Sequence, residues 1–159
     1  MVAYTDSLGF AKNSAGFAAN YTDRVSVVEI DLDFAKIATA RAAASAAALA
    51  ATDTLVIGTL PKGAFVLGGV ATLVRAEGAA GNIDVGINGG TVDFWVDGFD
   101  LNAGIGSTGG YADGAAHYCQ VDTGILLTIN SNDIDAARVK VSLAVVNMGA
   151  DLGTIPNVT

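Results

Sequence analysis

The chain has little of what disulfides, zinc sites and nucleophilic catalysis require. Its 159 residues include one cysteine, Cys119, and one histidine, His117. A single cysteine excludes an intramolecular disulfide and any zinc site built from several cysteines. His117 is the one base available to a catalytic triad, and near it in sequence only Asp113 or Asp122 could orient it. We therefore expect a buried, inert thiol and a protein that is not an enzyme and uses no cofactor.

Basic side chains are also scarce. Eight lysines and arginines stand against sixteen acidic residues, which gives a net charge of −8. A negative surface repels phosphate backbones and anionic lipid headgroups, so neither nucleic acid nor membrane is an expected partner. No apolar run reaches the length of a membrane span, because the alanine-rich stretch 34–51 is interrupted by Lys36 and Arg41. Residues 1–24 lack the basic start and apolar stretch of a secretory signal.

The chain has the length of one domain, which we divide into an arm, a core and a tail. Residues 1–24 show no sustained periodicity and are predicted to be an extended N-terminal arm, residues 25–148 a β-sandwich domain, and residues 149–159 a tail. The arm's aromatic rings either lie back on the chain's own core or anchor it in a neighbouring chain, as buried aromatics do at interfaces. The candidate anchors are Tyr4, Phe10, Phe17 and Tyr21.

The first and last strands of the domain have the clearest patterns. Apolar residues from Val28 to Phe34 alternate with Glu29, Asp31 and Asp33. The segment 137–148 alternates in the same way, with Arg138 and Lys140 among its polar positions. Each segment is predicted to be a half-buried strand. If the two strands are neighbours, acids will oppose bases, and each pair will contribute about 0.2–1 kcal/mol.

Two apolar runs in the middle of the chain are predicted to form a hairpin. Residues 54–60 and 64–75 are separated by Pro61-Lys62-Gly63, in which proline presets φ and glycine can adopt a positive φ. The second run is apolar or small on both faces. We therefore expect it to be covered on both sides of the sheet.

A second hairpin is predicted around Asn88-Gly89, between the alternating runs 83–87 and 92–97. In this register Trp95 shares a face with two aspartates, so it should be less buried than Phe94. The segment 98–116 contains six glycines and is predicted to be a long loop, a kind of segment that is often functional. The aromatic residues in or beside this loop are further candidates for partner contact, namely Trp95, Phe99 and Tyr111.

Together these segments predict an all-β protein, an antiparallel β-sandwich of jelly-roll type with about eight strands. Two more strands are expected near 117–121 and 124–130. Residues 35–51 are either a short alanine-rich helix or a connection of small residues across the end of the sandwich. The best candidate for a cation site is a group of acidic and amide side chains whose spacing matches no EF-hand, namely Asp93, Asp97, Asp100 and Asn102. No metal site is predicted from it.

Several stretches of the chain resemble the head decoration, or cement, proteins of tailed bacteriophages. They are VVEIDLDFAKIATARAAA, ALAATDTLVIGTLPKGAFVLGGVATLVRAEG and NIDVGINGG, and the N-terminal stretch GFAKNSAGFAANYTDR is similar in style. The resemblance covers residues 21–97 and does not extend to the glycine-rich loop. It implies a homotrimeric β-sandwich that binds the outer surface of the major capsid protein lattice and stabilises the capsid. It also implies synthesis in the cytoplasm of a bacterial host and a final location on the virion.

Two other functions remain open at this stage. A carbohydrate- or receptor-binding sandwich of a phage particle would use aromatic and acidic side chains, here Trp95, Tyr111 and Asp97. A tail or head-completion protein would be present in few copies per particle, whereas a decoration protein would be present in many.

Overall fold

The computed structural model of the protein describes residues 2–5, 11–14, 25–110 and 116–147. Over these residues the chain forms eleven β-strands and one α-helix. In chain order the elements are β1 (Val2–Thr5), β2 (Ala11–Ser14), β3 (Val25–Asp33), α1 (Phe34–Ala43), β4 (Thr54–Leu60), β5 (Ala64–Arg75), β6 (Asn82–Ile87), β7 (Val96–Asp100), β8 (Thr108–Gly109), β9 (His117–Tyr118), β10 (Thr123–Ser131) and β11 (Arg138–Asn147).

The strands form two antiparallel sheets. The larger sheet has the order β1-β2-β3-β11-β5-β8, with β9 also paired to β5, and the smaller has the order β4-β10-β6-β7. The four strands β3, β11, β5 and β8 and the four strands of the smaller sheet have the strand order of a jelly roll. The predicted all-β antiparallel sandwich with about eight strands is therefore confirmed, and β1, β2 and β9 are additional strands of the larger sheet.

The hydrophobic core consists of the inward-facing positions of both sheets. Because successive side chains of a strand point to opposite faces, every second residue of β11 is buried. The same holds for the end of β3 and for most of β10. The buried residues of these three strands include Ile30, Leu32, Ile125, Leu127, Ile129, Val139, Val141, Leu143 and Val145.

The predicted hairpin around Pro61–Gly63 is wrong, although both flanking strands have the predicted bounds. β4 belongs to the smaller sheet and β5 to the larger one, so the turn connects the two sheets. Gly63 adopts a φ of 86° and donates its N–H to the Cys119 carbonyl at 2.8 Å. The Lys62 N–H binds the Asp122 carboxylate at 2.9 Å. Residues 61–63 form the predicted turn, but a local turn does not specify which strands pair.

The hairpin around Asn88-Gly89 is present, with a shorter second strand than predicted. β6 pairs with β7, but β7 begins at Val96, and residues 91–95 form turns that fold back on β6. Gly86 permits this close approach, because a Cβ there would collide with the Thr91 carbonyl. The strand alternation is therefore lost before Val96. The prediction that Trp95 is less buried than Phe94 is wrong, since Trp95 is 1% exposed and Phe94 is half-buried.

Both interpretations of residues 35–51 hold, each for a different part of the segment. The helix α1 includes Phe34 and Ile37, which lie one turn apart and are both buried. Residues 44–53 are turns and irregular structure that return the chain to β4, and Leu49 is buried in the core on the way. Among the described residues, no helix is long and apolar enough to cross a membrane.

The glycine-rich segment 98–116 is not a single loop. β7 continues through Asp100, and β8 pairs with the Ala71–Thr72 part of β5. Gly109 of β8 packs on the Phe99 ring so closely that a Cβ would lie 2.5 Å from Phe99 Cδ2. Most of the described part of this segment is therefore held against the sandwich.

Two short strands lie in the region predicted to be an extended arm. β1 and β2 pair antiparallel, from Val2 opposite Ser14 to Thr5 opposite Ala11. β2 also pairs with β3, so this part of the chain adds two strands to the larger sheet. The other residues of 1–24 and the predicted tail 149–159 lie outside the described residues.

A candidate interaction surface on the larger sheet

The outer face of the larger sheet changes along its strands from charged to apolar. Directly opposed residues of an antiparallel pair point to the same side, so the registers of β3, β11, β5 and β9 define rows of side chains on this face. In order, the rows are Asp33, Arg138 and Arg75; Asp31, Lys140 and Thr72; Glu29, Ser142 and Val70; Val27, Ala144 and Gly68; and Val146, Phe65 and Tyr118.

Three ion pairs connect the charged residues, which we call the charged half (Glu29, Asp31, Asp33, Arg75, Arg138 and Lys140). Lys140 Nζ donates to Glu29 Oε1 at 2.9 Å. Arg138 binds Asp31 with two nitrogens, Nε donating to Oδ1 at 2.9 Å. Arg75 Nη2 donates to Asp33 Oδ1 at 2.7 Å. The predicted pairing between the first and last strands of the domain is confirmed.

The ion pairs are partly exposed, which limits their contribution to stability. The side chains of Arg138 and Asp31 are 40% and 17% exposed. The hydrogen bond from Arg138 lowers the pKa of Asp31 below its usual value, although partial burial opposes this shift. The same bond raises the pKa of Arg138. Screening by solvent leaves each pair about 0.2–1 kcal/mol of stabilisation.

The other end of the face carries apolar side chains, which we call the apolar half (Val27, Phe65, Leu67, Val70, Tyr118, Ala144 and Val146). Val27, Leu67, Val70 and Tyr118 are exposed, and the other three are half-buried. Leu67 is the extra residue of a β-bulge between Val66 and Gly68 and is 47% exposed. The most exposed member is Val27, at 52%. The expectation that β5 is covered on both sides is therefore wrong, because its inner face is buried and part of its outer face is open. Contiguous exposed apolar side chains of this kind mark interaction sites.

The apolar half is not recognisable as a surface from the sequence. Its members come from β3, β5, β9 and β11, which are far apart in the sequence and are joined only by strand pairing. The available signal was the composition of β5, which is apolar or small on both faces. That pattern does not distinguish a strand covered by its own chain from a strand that leaves one face open.

Of the seven predicted contact residues, two are buried and four lie outside the described residues. Trp95 and Phe99 are 1% and 6% exposed and belong to the core, so neither side chain is available to a partner. Tyr4 lies in β1, where its backbone is opposite Lys12. The remaining candidates, Phe10, Phe17, Tyr21 and Tyr111, lie outside the described residues.

His117 packs against aromatic residues of the sandwich, and Cys119 is part of the hydrophobic core. The His117 ring packs edge-on against Phe94 and Trp95, with centroid distances of 5.5 and 6.3 Å. Cys119 is completely buried, and desolvation raises the pKa of its thiol, an effect that Thr123 partly opposes. A buried thiol with a raised pKa is a poor nucleophile.

The candidate cation residues are not assembled into a site. Within 26–110 and 116–146, no three His, Cys, Asp or Glu side chains are grouped closely enough to hold a metal ion. Asp100 instead accepts a hydrogen bond from the Asn102 N–H at 2.8 Å. Asp84 in the same way accepts one from the Gly98 N–H at 2.7 Å. Asp100 therefore stabilises the turn after β7, and Asp84 connects β6 to β7.

The comparisons with known proteins connect this fold to phage capsids. No family model and no curated protein matches the chain. A chain of the capsid of Ralstonia phage GP4 is 15% identical, with 87% of this chain and 91% of that chain covered and a TM-score of 0.57. A chain of the cyanophage Pam1 capsid is 14% identical, with 84% of this chain and 92% of that chain covered and a TM-score of 0.56. A chain of the acid-stable capsid of Helicobacter pylori bacteriophage KHP30 is 10% identical, with 79% of this chain and 89% of that chain covered and a TM-score of 0.54. The chain therefore shares its fold with chains found in these capsids.

Proposed function

We propose that this chain is a structural protein of a bacteriophage virion that decorates and stabilises the capsid. In this proposal it binds the outer surface of the major capsid protein lattice as a homotrimer, after synthesis in the cytoplasm of the bacterial host. The observation that carries the proposal is the shared fold, which extends over 79–87% of this chain and 89–92% of the capsid chains. Such coverage means that the fold is shared as a whole unit and not as an isolated motif.

The physical properties of the chain suit this role. The sandwich has a continuous core and a surface with a net charge of −8, which favours solubility before assembly. Its partner would be protein, because the charge disfavours nucleic acid and lipid headgroups. A trimer that contacts several lattice sites at once gains avidity through effective concentration, so each subunit needs only a modest contact.

We also propose that aromatic residues of the N-terminal segment and the glycine-rich segment contribute to attachment, namely Tyr4, Phe10, Phe17, Tyr21 and Tyr111. Deleting residues 1–20 would be a poor test, because it also removes β1 and β2 from the sheet. Replacement of Phe10 and Phe17 by serine changes no residue of either strand. Unchanged capsid occupancy by this double variant would contradict a role for these rings.

The experiment that tests the function is a count of this chain in purified virions, combined with deletion and add-back. Quantitative mass spectrometry should find many copies per particle, in fixed proportion to the major capsid protein. Capsids made without the chain should lose stability to heat and regain it when purified chain is added. A few copies per particle would indicate a tail or head-completion role, and absence from the virion would overturn the proposal.

One of the three residues expected to bind carbohydrate is inaccessible in the structure. Trp95 is buried in the core and cannot stack on a sugar ring, whereas Asp97 is exposed and Tyr111 lies outside the described residues. No arrangement of the described side chains favours this alternative over decoration.

A further inference from the structure

We infer that the apolar half of the larger sheet's outer face is the surface through which one copy of this chain contacts another. The inference deepens the proposed function and rests on the homo-oligomer named there, to which it assigns a contact surface. Its occupant is a second copy of the chain, as the clustering of apolar side chains and the distribution of charge indicate.

Exposed apolar side chains are concentrated on this half. Of the eight large hydrophobic residues exposed among the described side chains, four belong to it: Val27, Leu67, Val70 and Tyr118. Val27 lies on β3, Leu67 and Val70 on β5, and Tyr118 on β9. β11 lies between β3 and β5 and contributes Ala144 and Val146 to the same face, and adjacent strands are about 4.8 Å apart, so the side chains form one contiguous area. The other four lie on the smaller sheet or in turns and loops: Val56, Val92, Ile105 and Val121.

The charge distribution selects a second copy as the occupant. Two chains that each carry a charge of −8 repel one another over most of their surface. On the outer face of the larger sheet, three acids are matched by three bases in the ion pairs of the charged half. The charges of β3, β5 and β11 therefore sum to zero, and the net charge of −8 lies on other parts of the chain. Copies of an acidic protein can therefore approach through this face without the repulsion that other approaches would meet.

The ion pairs also remove the main cost of burying this face. Glu29, the acid nearest to the apolar half, is already bound to Lys140. Association would therefore bury no unpaired carboxylate beside the apolar side chains, which would otherwise be strongly unfavourable. A rotation axis beside the apolar half brings the same side chains of each copy together, as in closed symmetric oligomers.

The test compares two matched substitutions by light scattering. Val27 and Val56 are 52% and 51% exposed, both lie in strands, and they belong to different sheets. The wild-type protein is expected at a multiple of 15.9 kDa, three times that mass for the homotrimer. Val27→Asp should reduce the mass to 15.9 kDa, whereas Val56→Asp, which adds the same charge, should leave it unchanged. Far-ultraviolet circular dichroism checks that both variants fold.

A second matched pair of substitutions keeps the test decisive if Val27→Asp does not fold. Val70→Lys should also dissociate the oligomer, and Val92→Lys, at a position of similar exposure outside the apolar half, should not. A monomeric wild-type protein, or dissociation by the control variants to the same extent, would overturn the inference. The inference would also be contradicted if Val27→Asp and Val70→Lys both fold and both keep the wild-type mass. That result would mean that another segment or partner covers this face.

Failure of this inference and failure of the proposed function give different results. The light-scattering experiment uses the purified chain and does not involve capsids. A monomer in solution that is still abundant in virions would reject the self-contact surface and leave the decoration function standing. An oligomer that Val27→Asp dissociates, in a chain that is absent from virions, would support the self-contact surface and reject the decoration function.

Discussion

Arg138 lies directly opposite Asp33 in the larger sheet, yet its guanidinium binds Asp31, two residues away on the same neighbouring strand. Lys140 is displaced in the same way, from Asp31 opposite it to Glu29. Asp33 is left to Arg75, which reaches it from β5 across the intervening β11. The diagonal shift gives each acid its own base, and it connects three strands with three ion pairs.

Replacing Asp31 by asparagine should make stability less dependent on pH. Because its pKa is lowered in the folded state, Asp31 stabilises the fold above its unfolded pKa of about 3.9 and loses this effect as the pH falls through the lower folded value. At pH 7 the variant should be less stable by about 0.2–1 kcal/mol, and the difference should vanish in strong acid. Urea unfolding at several pH values measures it. Asp97→Asn, at an exposed aspartate outside the ion pairs, is the control, and an equal effect there would refute the assignment.

Glu77 should be a larger contributor to stability than any of the ion pairs. Its carboxylate accepts hydrogen bonds from the N–H groups of Asp135, Ala136 and Ala137, the last at 2.6 Å, and so holds the turn that leads into β11. Glu77→Ala leaves these donors without their charged acceptor and should cost about 1–3 kcal/mol. Glu77→Gln keeps one acceptor oxygen and should lie between the wild type and Glu77→Ala. The urea midpoint measures both, and an alanine variant as stable as wild type would contradict this role.

Alanine should destabilise the protein at one of two adjacent glycines and have little effect at the other. A Cβ at Gly69 would lie 2.5 Å from Leu143 Cδ2 and 3.0 Å from Trp95 Cβ, whereas a Cβ at Gly68 would meet nothing within 4 Å. Gly69→Ala should therefore overpack the core, lower stability by about 1–3 kcal/mol and shift the fluorescence of the single tryptophan. Gly68→Ala should leave both the stability and the emission near their wild-type values. Equal effects at the two positions would show that the packing around Trp95 is not the cause.

The thiol of Cys119 should be protected by the fold. Burial raises its pKa and keeps reagents away, so the native protein should react very slowly with Ellman's reagent at pH 8. In guanidinium chloride one thiol per chain should react at the rate of a free cysteine. Rapid reaction of the native protein would mean that the segment around β9 opens frequently.

The strands that could be predicted from the sequence are those with one buried face. Apolar and polar residues alternate strictly from Val28 to Asp33 in β3 and from Arg138 to Leu143 in β11, and the bounds predicted for both strands agree with the structure to within a few residues. The ion pairs between them followed from the opposite charges of their polar faces. The strand bounds of β4 and β5 were also correct, but their pairing was not, because in a jelly roll a turn leads to the other sheet as readily as to a neighbouring strand.

The errors arose where a residue's environment depends on distant parts of the chain. Trp95 lies beside aspartates in the sequence, yet turns at 91–95 direct it into a space that Gly69 leaves open on another strand. Phe99 is in a glycine-rich segment, yet it is covered by Gly109 of β8. In both cases the burial depends on a glycine of another strand, which the local alternation around the aromatic residue does not reveal.

Composition and alternation were thus sufficient for the all-β class, the number of core strands and the charges of the outer face, since each depends on short-range periodicity and on side-chain chemistry. They were insufficient for the sheet order and for the apolar half, because pairing four strands distant in sequence is what places Val27, Val70 and Tyr118 on one surface. A period of two specifies that a strand has two faces. Which face the chain itself covers, and which it leaves open for another molecule, depends on how the whole chain packs.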